Sequence, residues 1–481
     1  MLTYSFDNTG SDSLYEHLYK CIKNDILSGE LAPDYKLPSK RSFAKNLGIS
    51  TITVENAYAQ LIAEGYIYSL PKKGYYVTDI AAVGQPVFAA SYSHSQPENT
   101  NFLSAAPTSL TFSKQPDADT SYQIDFSTNH ASGANFPFYT WAKLMKEVMS
   151  DCSSELLTPS PAAGILELRE AIARHLSDFR GMKVLPEQII VGAGNDYLLM
   201  LLSMVMGEQR KVAFENPTYK QAYRLFRNLS CEVMTIDMDK YGMEVSKLCE
   251  SNADTAYVMP SHQYPLGIVM PIKRRMELLR WAGESEERYI IEDDYDSEFR
   301  YKGRPIPALQ GYDMNDKVIY LGTFSKSLAP AIRISYMVLP KRLLTAYNEK
   351  CRFLSSTVSK VDQFIIQRFI EEGYYERHLN KMRALYKNRH DILMAGLKPL
   401  LTRCSISGEH AGVHLLLTFP SGEKEKELIR QAEEKEIRVY GLSEYDIDEQ
   451  KNAKATILLG YANMSEEAIR DASNILCEIW K

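Results

Sequence analysis

Lys326 lies in Gly322-Thr-Phe-Ser-Lys326, Arg333 follows shortly after, and upstream the apolar run Tyr289-Ile-Ile291 ends in the acidic cluster Glu292-Asp-Asp-Tyr-Asp296. These residue types fit one chemistry. A lysine amine can form a Schiff base with an aldehyde, an aspartate can hold a pyridine nitrogen protonated, and a guanidinium with neighbouring hydroxyls can clamp a phosphate. Pyridoxal 5'-phosphate (PLP) needs all three. Lys326, Asp293, and Arg333 with Thr323 and Ser325 are the candidates for those roles.

Other polar groups recur at the ends of short β-rich runs. Gly192-Ala-Gly-Asn-Asp196 follows Gln188-Ile-Ile-Val191, and Glu215-Asn-Pro-Thr-Tyr219 follows Lys211-Val-Ala-Phe214. Gly194 and Asn195, at a glycine-rich turn into a helix, can offer backbone amides to the phosphate, and Tyr219 can stack on the pyridine ring. Tyr295, two residues beyond Asp293, can donate to the ring hydroxyl. Each signal alone is weak, because an acidic run is commonly a solvated face and a glycine-rich turn is commonly only a turn. Their shared order and spacing make the stronger case.

The elements that must position these groups are legible as alternation. From Ile124 onward, runs such as Thr255-Ala-Tyr-Val258, Tyr289-Ile-Ile291, Val318-Ile-Tyr-Leu321 and Ile334-Ser-Tyr-Met-Val338 alternate with helical stretches such as Ile165 to Leu176. This predicts a mainly parallel sheet covered by helices on both faces, with ligands bound beyond the strand ends.

The chain of 481 residues is too long for one ordinary domain, and its 45% hydrophobic and 24% charged content is that of a globular protein. No apolar run is long enough to span a membrane and the N-terminus lacks the pattern of a signal peptide, so a cytoplasmic location is expected. The seven cysteines are scattered and form no Cys-x-x-Cys pair, which points to reduced packing residues and to no metal site. A net charge of −6 excludes a protein that coats nucleic acid through its global field.

A local DNA-binding surface is nevertheless readable near the N-terminus. Leu14, Leu18, Cys21 or Ile22, and Ile26 repeat at helical spacing up to Ser28-Gly29. Ser39 starts a second helix with Phe43, Ala44 and Leu47 inward, and Ser50 caps a third over Thr51 to Leu61, with Ile52 or Val54, Ala57, Tyr58 and Leu61 inward. Two β-runs around Pro71-Lys-Lys-Gly74 then form a hairpin. Helix, helix-turn-helix and basic hairpin make a winged helix over residues 12–78. Ser39, Lys40 and Arg41 at one helix start and Lys72, Lys73 and Gly74 at the wing tip are the expected phosphate contacts, while Thr51, Thr53 and Asn56 face bases. The blander alternative is a helical docking domain with a solvated charged face. Residues 79–121, rich in Ala, Ser, Pro, Asn and Gln, read as a flexible linker, and 122–481 as the large domain.

Leu37-Pro-Ser-Lys-Arg41 and Gly48-Ile-Ser-Thr-Ile-Thr-Val54 resemble the signature of GntR-type transcription regulators. Glu292 to Phe299 and Gly322 to Lys326 resemble fold-type I, class I aminotransferases, and the combination is similar to the MocR/GabR subfamily. The resemblance implies an α+β winged helix joined to an α/β PLP-dependent transferase fold, PLP on Lys326, and ring and phosphate contacts from Asp293, Tyr295, Arg333 and Thr323. It also implies double-stranded promoter DNA as partner and a head-to-tail, domain-swapped homodimer responding to a small-molecule effector.

Two departures from the family shape the expected function. His262-Gln-Tyr-Pro265 replaces a His-Asn-Pro motif, and Gln221 and Asn463 stand where carboxylate-binding arginines are found, with Arg224 as a shifted substitute. A neutral amide lacks the charge and fork of a guanidinium. The expectation is therefore a regulator that senses PLP, as in subfamily members controlling vitamin B6 synthesis, or a PLP-reactive amine or amino-acid-like ligand. The alternative is a working aminotransferase with an accessory head.

Overall fold

The computed structural model describes residues 2, 4, 6, 13–71, 73–80, 122–128, 135–207, 209–301, 306–408, 411–420, 422–448 and 454–481. Lys72 and residues 81–121 of the expected linker lie outside these.

The head is built from α1 (Leu14–Ser28), β1 (Lys36–Leu37), α2 (Lys40–Leu47), α3 (Thr51–Glu64), β2 (Ile67–Leu70) and β3 (Gly74–Val77). Ser39 accepts from the Ser42 amide and Ser50 from the Thr53 amide, so each serine satisfies an orphan donor at the start of its helix. Gly48 ends α2 at φ 67°, a left-handed conformation that suits glycine. Leu18, Ile22, Phe43, Val54, Tyr58 and Leu61 close the core. Of the two residues offered for the inward face of α3, Val54 is buried and Ile52 is 68% exposed. The helix also runs one turn beyond Leu61, to Glu64, because Leu61 and Glu64 remain on the buried face until Gly65 stops it. The hairpin β2–β3 is antiparallel, and β1 adds a third strand.

The large region begins with β4 (Ile124–Asp125), α4 (Phe138–Asp151) and α5 (Leu166–Arg180). Its main sheet contains β5 (Ile189–Gly192), β6 (Lys211–Asn216), β7 (Glu232–Asp239), β8 (Gly242–Met243), β9 (Thr255–Val258), β10 (Tyr289–Asp294), β11 (Val318–Thr323) and β12 (Ser335–Val338), in the order β5-β12-β11-β10-β9-β6-β7-β8. The central pairings are parallel. The run Ile334 to Val338 provides β12, which is antiparallel to both neighbours, so the sheet is mainly and not wholly parallel. Only a short connection separates it from β11, and a parallel return needs a longer crossover.

Helices α6 (Asn195–Met206) and α7 (Lys220–Asn228) pack with Phe214, Tyr257, Ile291 and Leu321 on one face, whereas Ile290, Ala256 and Val258 meet α8 (Val245–Glu250) and α9 (Ile272–Gly283) on the other. Successive strand residues thus serve opposite faces, which decides where each acid of the Glu292 cluster points. A second sheet, β13 (Ser405–Ser407), β14 (His414–Phe419), β17 (Ala455–Gly460) and β16 (Tyr440–Gly441), completes the C-terminal part, with β15 (Ile437–Arg438) paired to β4.

The head rests against the large region. Ile272 of α9 is part of the head's core cluster. The Tyr312 hydroxyl lies 3.3 Å from Lys23 Nζ and 3.1 Å from the Tyr66 hydroxyl. Lys23 also reaches the buried Glu64 carboxylate, which accepts from Tyr19.

Candidate functional site

The segment Glu292–Asp296 is buried save for the half-buried Tyr295, so it is no solvated acidic face. Alternation divides its labour. Glu292 accepts the Leu309 and Gln310 amides at 2.8 and 2.9 Å. Asp294, on the same side, is paired with Arg180 at 2.7 Å and accepts from Tyr320 at 2.6 Å. Asp293 points the other way, into a cavity of about 310 Å³ beyond the carboxyl ends of the parallel strands. There it accepts from the Tyr257 hydroxyl and lies 3.4 Å from Asn195 Nδ2. Burial pushes its carboxyl up to about 7.

The same cavity is lined by Asn195, Asp196, Tyr219, Gln221, Tyr295, Thr323, Ser325, Lys326 and Arg333. Strand ends explain the convergence. Asp293 is the last residue but one of β10, Thr323 ends β11, Asn195 follows β5, and Tyr219 follows β6. Lys326 Nζ donates to the Thr128 carbonyl, and burial lowers its ammonium to about 8. Thr323 Oγ1 accepts from the Ser325 amide at 3.1 Å and the Ser335 hydroxyl at 2.8 Å. Arg333, left-handed at φ 52°, lays its guanidinium on Gly194. A Cβ there would stand 2.3 Å from Nη2, so this close approach requires glycine.

Tyr295 carries a network not anticipated from local sequence. Its hydroxyl is 2.9 Å from His262 Nδ1, and that nitrogen is 2.9 Å from Asp296 Oδ2. His262 and Asp296 are both buried. Gln263, in the motif that departs from His-Asn-Pro, turns away and joins the Pro217 carbonyl to the Leu266 amide. Tyr264 lines the cavity instead and donates to the Tyr445 hydroxyl at 2.9 Å.

The residues present suit PLP. Asp293 is a buried carboxylate facing the cavity, and among the described residues no cation stands beside it and Ser325 Oγ is buried without a hydrogen-bond partner. A cationic ring nitrogen and a phosphate oxygen answer those two needs. Lys326 would supply the amine, with Arg333, Thr323, Ser325 and the Gly194–Asn195 turn around the phosphate.

Two effector candidates are not brought to the cavity. Arg224 is exposed on α7, because Ala222 and Phe226 take that helix's inward face. Asn463 follows β17 and donates to the Asp125 carbonyl at 3.4 Å, apart from the residues that line the cavity. Gln221 is at the cavity, held between Tyr219 and Asp196.

On the head, Ser39, Arg41, Thr51, Asn56 and Lys73 are exposed and Gly74 is half-buried. Two expected contacts are occupied within the chain. Lys40 Nζ pairs with Glu55 at 2.6 Å, and the Thr53 hydroxyl meets Ser50 Oγ at 2.8 Å. Glu55 sits within reach of Lys40 because α2 and α3 pack together, a geometry invisible to residue type alone, whereas the Ser50–Thr53 contact is local to the start of α3.

Residues 14–77 match the family described as bacterial regulatory proteins, gntR family, and residues 121–476 match aminotransferase class I and II. The chain is 38% identical to the HTH-type transcriptional regulator YdeL of Bacillus subtilis, covering 97% of each chain. It is 30% identical to the probable rhizopine catabolism regulatory protein MocR of Rhizobium meliloti, over 98% of this chain and 94% of that one. It is also 30% identical to the pyridoxine biosynthesis transcriptional regulator PdxR of Corynebacterium glutamicum, over 84% and 83%. Among solved structures, Pyrococcus horikoshii kynurenine aminotransferase is similar at TM-score 0.65 and 25% identity, covering 75% of this chain and 91% of that one.

Proposed function

The chain belongs to the GntR-type transcriptional regulators that carry an aminotransferase class I and II domain, the MocR type, and from that premise we propose that it is a cytoplasmic DNA-binding regulator in which occupancy of the Lys326 cavity by PLP alters how the heads engage promoter DNA. Its winged helix serves DNA binding, and the regulator reading is favoured over a working aminotransferase.

The observation that carries the reading is the course of one segment. Glu292–Arg300 contributes Asp293 and Tyr295 to the cavity, while Arg300, at its other end, shares a cleft with Glu64 and Tyr19 of the head. Glu292 reinforces the connection. It holds the Leu309 and Gln310 amides at the start of the turn that presents Tyr312 to Lys23 and Tyr66.

When bound, PLP supplies an aldehyde that condenses with an amine and a pyridine ring that draws electrons. The chain's own groups do the rest. Lys326, partly neutral near physiological pH because burial disfavours its charge, provides the amine. Asp293 holds a proton on the ring nitrogen, and Tyr295 is oriented by His262 and Asp296 toward the ring hydroxyl. Arg333, Thr323 and Ser325 fix the phosphate, and Tyr219 covers the ring. A ligand that binds two arrangements of the head unequally shifts their populations, which is all that such a switch requires.

The protein acts in this reading as a head-to-tail, domain-swapped homodimer on two half-sites of double-stranded DNA. PLP itself is the favoured effector, since Arg333 is the one arginine among the described residues lining the cavity and would be engaged by the phosphate. The similarity to a pyridoxine biosynthesis regulator supports the same choice.

The test is a gel-shift titration on the upstream promoter, with and without PLP and with no amino acid, using wild type and Lys326→Ala. Wild type should change its DNA affinity or complex number with PLP and show the visible absorption of bound PLP. Lys326→Ala should lose both. A Lys326→Ala protein that kept the PLP-dependent shift would refute the lysine's role.

A further inference from the structure

One lining residue has no part in the chemistry assigned so far. Asp196 is in the first turn of α6, where the backbone amides and the guanidinium of Arg333 together favour an anion. A carboxylate of the chain already stands there. Asp196 Oδ2 is 3.2 Å from Arg333 Nη2, and Oδ1 accepts from Gln221 Nε2 at 3.1 Å. Gln221 in turn accepts from the Tyr219 hydroxyl at 2.7 Å, so the residue that covers the ring is tied through Gln221 to the same carboxylate.

Resting on the reading above, we propose that Asp196 is an affinity-setting residue: it occupies Arg333 as an internal competitor of the PLP phosphate, so that loading must displace it and the site responds to PLP concentration instead of remaining saturated.

Three considerations support this. The Arg333 and Asp196 side chains are 52% and 41% exposed, so their pair is weak enough for a phosphate to break. A phosphate dianion is a better partner for a guanidinium than a carboxylate is, because it offers more charge in a matching fork. Once displaced, Asp196 remains on the same helix turn, and the like charge a few ångströms from the phosphate continues to oppose binding. Two unit charges at about 5 Å in a partly solvated site repel by enough to change affinity roughly tenfold. A cavity built only to retain PLP would gain from a neutral or basic residue here. A cavity built to report PLP needs release as well as capture.

The experiment is an absorbance titration of cofactor-free wild type and Asp196→Asn with PLP, and in parallel with pyridoxal, which has the aldehyde and ring but no phosphate. The variant should bind PLP on the order of tenfold more tightly, with little change for pyridoxal. The PLP concentration giving half of the gel-shift response should fall by the same factor. An unchanged or weakened PLP affinity in Asp196→Asn, with wild type binding normally, overturns the role of Asp196 and leaves the PLP reading intact. Equal tightening for pyridoxal also overturns it, since the effect would not pass through the phosphate. A wild-type protein that takes up no PLP overturns both.

Discussion

Asp293 offers a test of the cavity that does not depend on knowing the effector. In the cofactor-free protein, burial with no adjacent cation raises its carboxyl from 3.8 to about 7. The unfolded chain releases this proton near pH 4, whereas the folded chain holds it until about pH 7, so the folded state binds more protons in between. Stability must then fall as pH rises through that window. A shift of about three units corresponds to roughly 4 kcal/mol, of which roughly 2 to 3 kcal/mol falls between pH 5 and 7.5. Glu215 and Glu298 are also pushed up to about 7 by burial, so the wild-type pH profile alone cannot isolate Asp293. The comparison with Asp293→Asn can. Urea unfolding of both proteins at pH 5 and 7.5 should show wild type losing about 2 to 3 kcal/mol more than the variant. Saturating PLP should abolish that extra loss in wild type, because a cationic ring nitrogen beside the carboxylate stabilises the charged form. The same pH dependence in both cofactor-free proteins would refute the claim that Asp293 is a desolvated carboxylate waiting for a cation.

Arg41→Ala should weaken DNA binding across all sequences and reduce the slope of log affinity against log salt by about 1, read from gel shifts at several salt concentrations; an unchanged slope would remove Arg41 from the phosphate contacts. Tyr312→Phe deletes the hydroxyl that meets Lys23 and Tyr66, at a cost of about 1 kcal/mol per hydrogen bond. PLP affinity by absorbance should be kept while the PLP-dependent change in DNA affinity shrinks several-fold, and a full response would show that head docking through Tyr312 does not carry the signal.

What the sequence made legible were features encoded over a few residues. Serine before each of α2 and α3, glycine after α1 and α2, and a basic tip between two β-runs announce the winged helix, because caps and turns are local chemistry. The positions of Asp293, Tyr219, and Thr323 with Lys326 are readable because they stand at the ends of three β-runs, and a parallel sheet brings such ends together. The misses are long-range or competitive. Nothing within a few residues of Asp196 announces that it faces Arg333, and nothing near His262 announces Asp296 or Tyr295. Lys40 has the charge and position of a phosphate contact, but nothing near it in sequence announces that Glu55 on the neighbouring helix pairs with it. Arg224, a candidate to replace Gln221 from a shifted position, is turned outward by the apolar pattern of α7, in which Ala222 and Phe226 are buried.

The balance of charges at the cavity bears on why an aminotransferase fold serves a regulator here. Catalytic transamination of an amino acid asks the site to bind two anions, the phosphate and the substrate carboxylate, and to release product repeatedly. The described residues around the cavity provide one arginine, Arg333, and set a carboxylate, Asp196, against it. Gln221 is committed to Tyr219 and Asp196, and Asn463 to the Asp125 carbonyl. A substrate carboxylate entering beside the phosphate would find Gln221 already engaged and Asn463 apart from the cavity, and binding a charged group without a charged partner in a partly buried site is costly. The groups that would act on the aldehyde and the ring, Lys326, Asp293, Tyr295 and Tyr219, all line the cavity, while among the described residues those that would hold a second anion are absent from it or opposed. In the proposed reading such a site captures one molecule and registers its presence. In the same reading the Glu292–Arg300 segment gives that presence a path to the head, because Arg300 shares a cleft with Glu64 and Tyr19 while Glu292 holds the turn that presents Tyr312 to Lys23 and Tyr66.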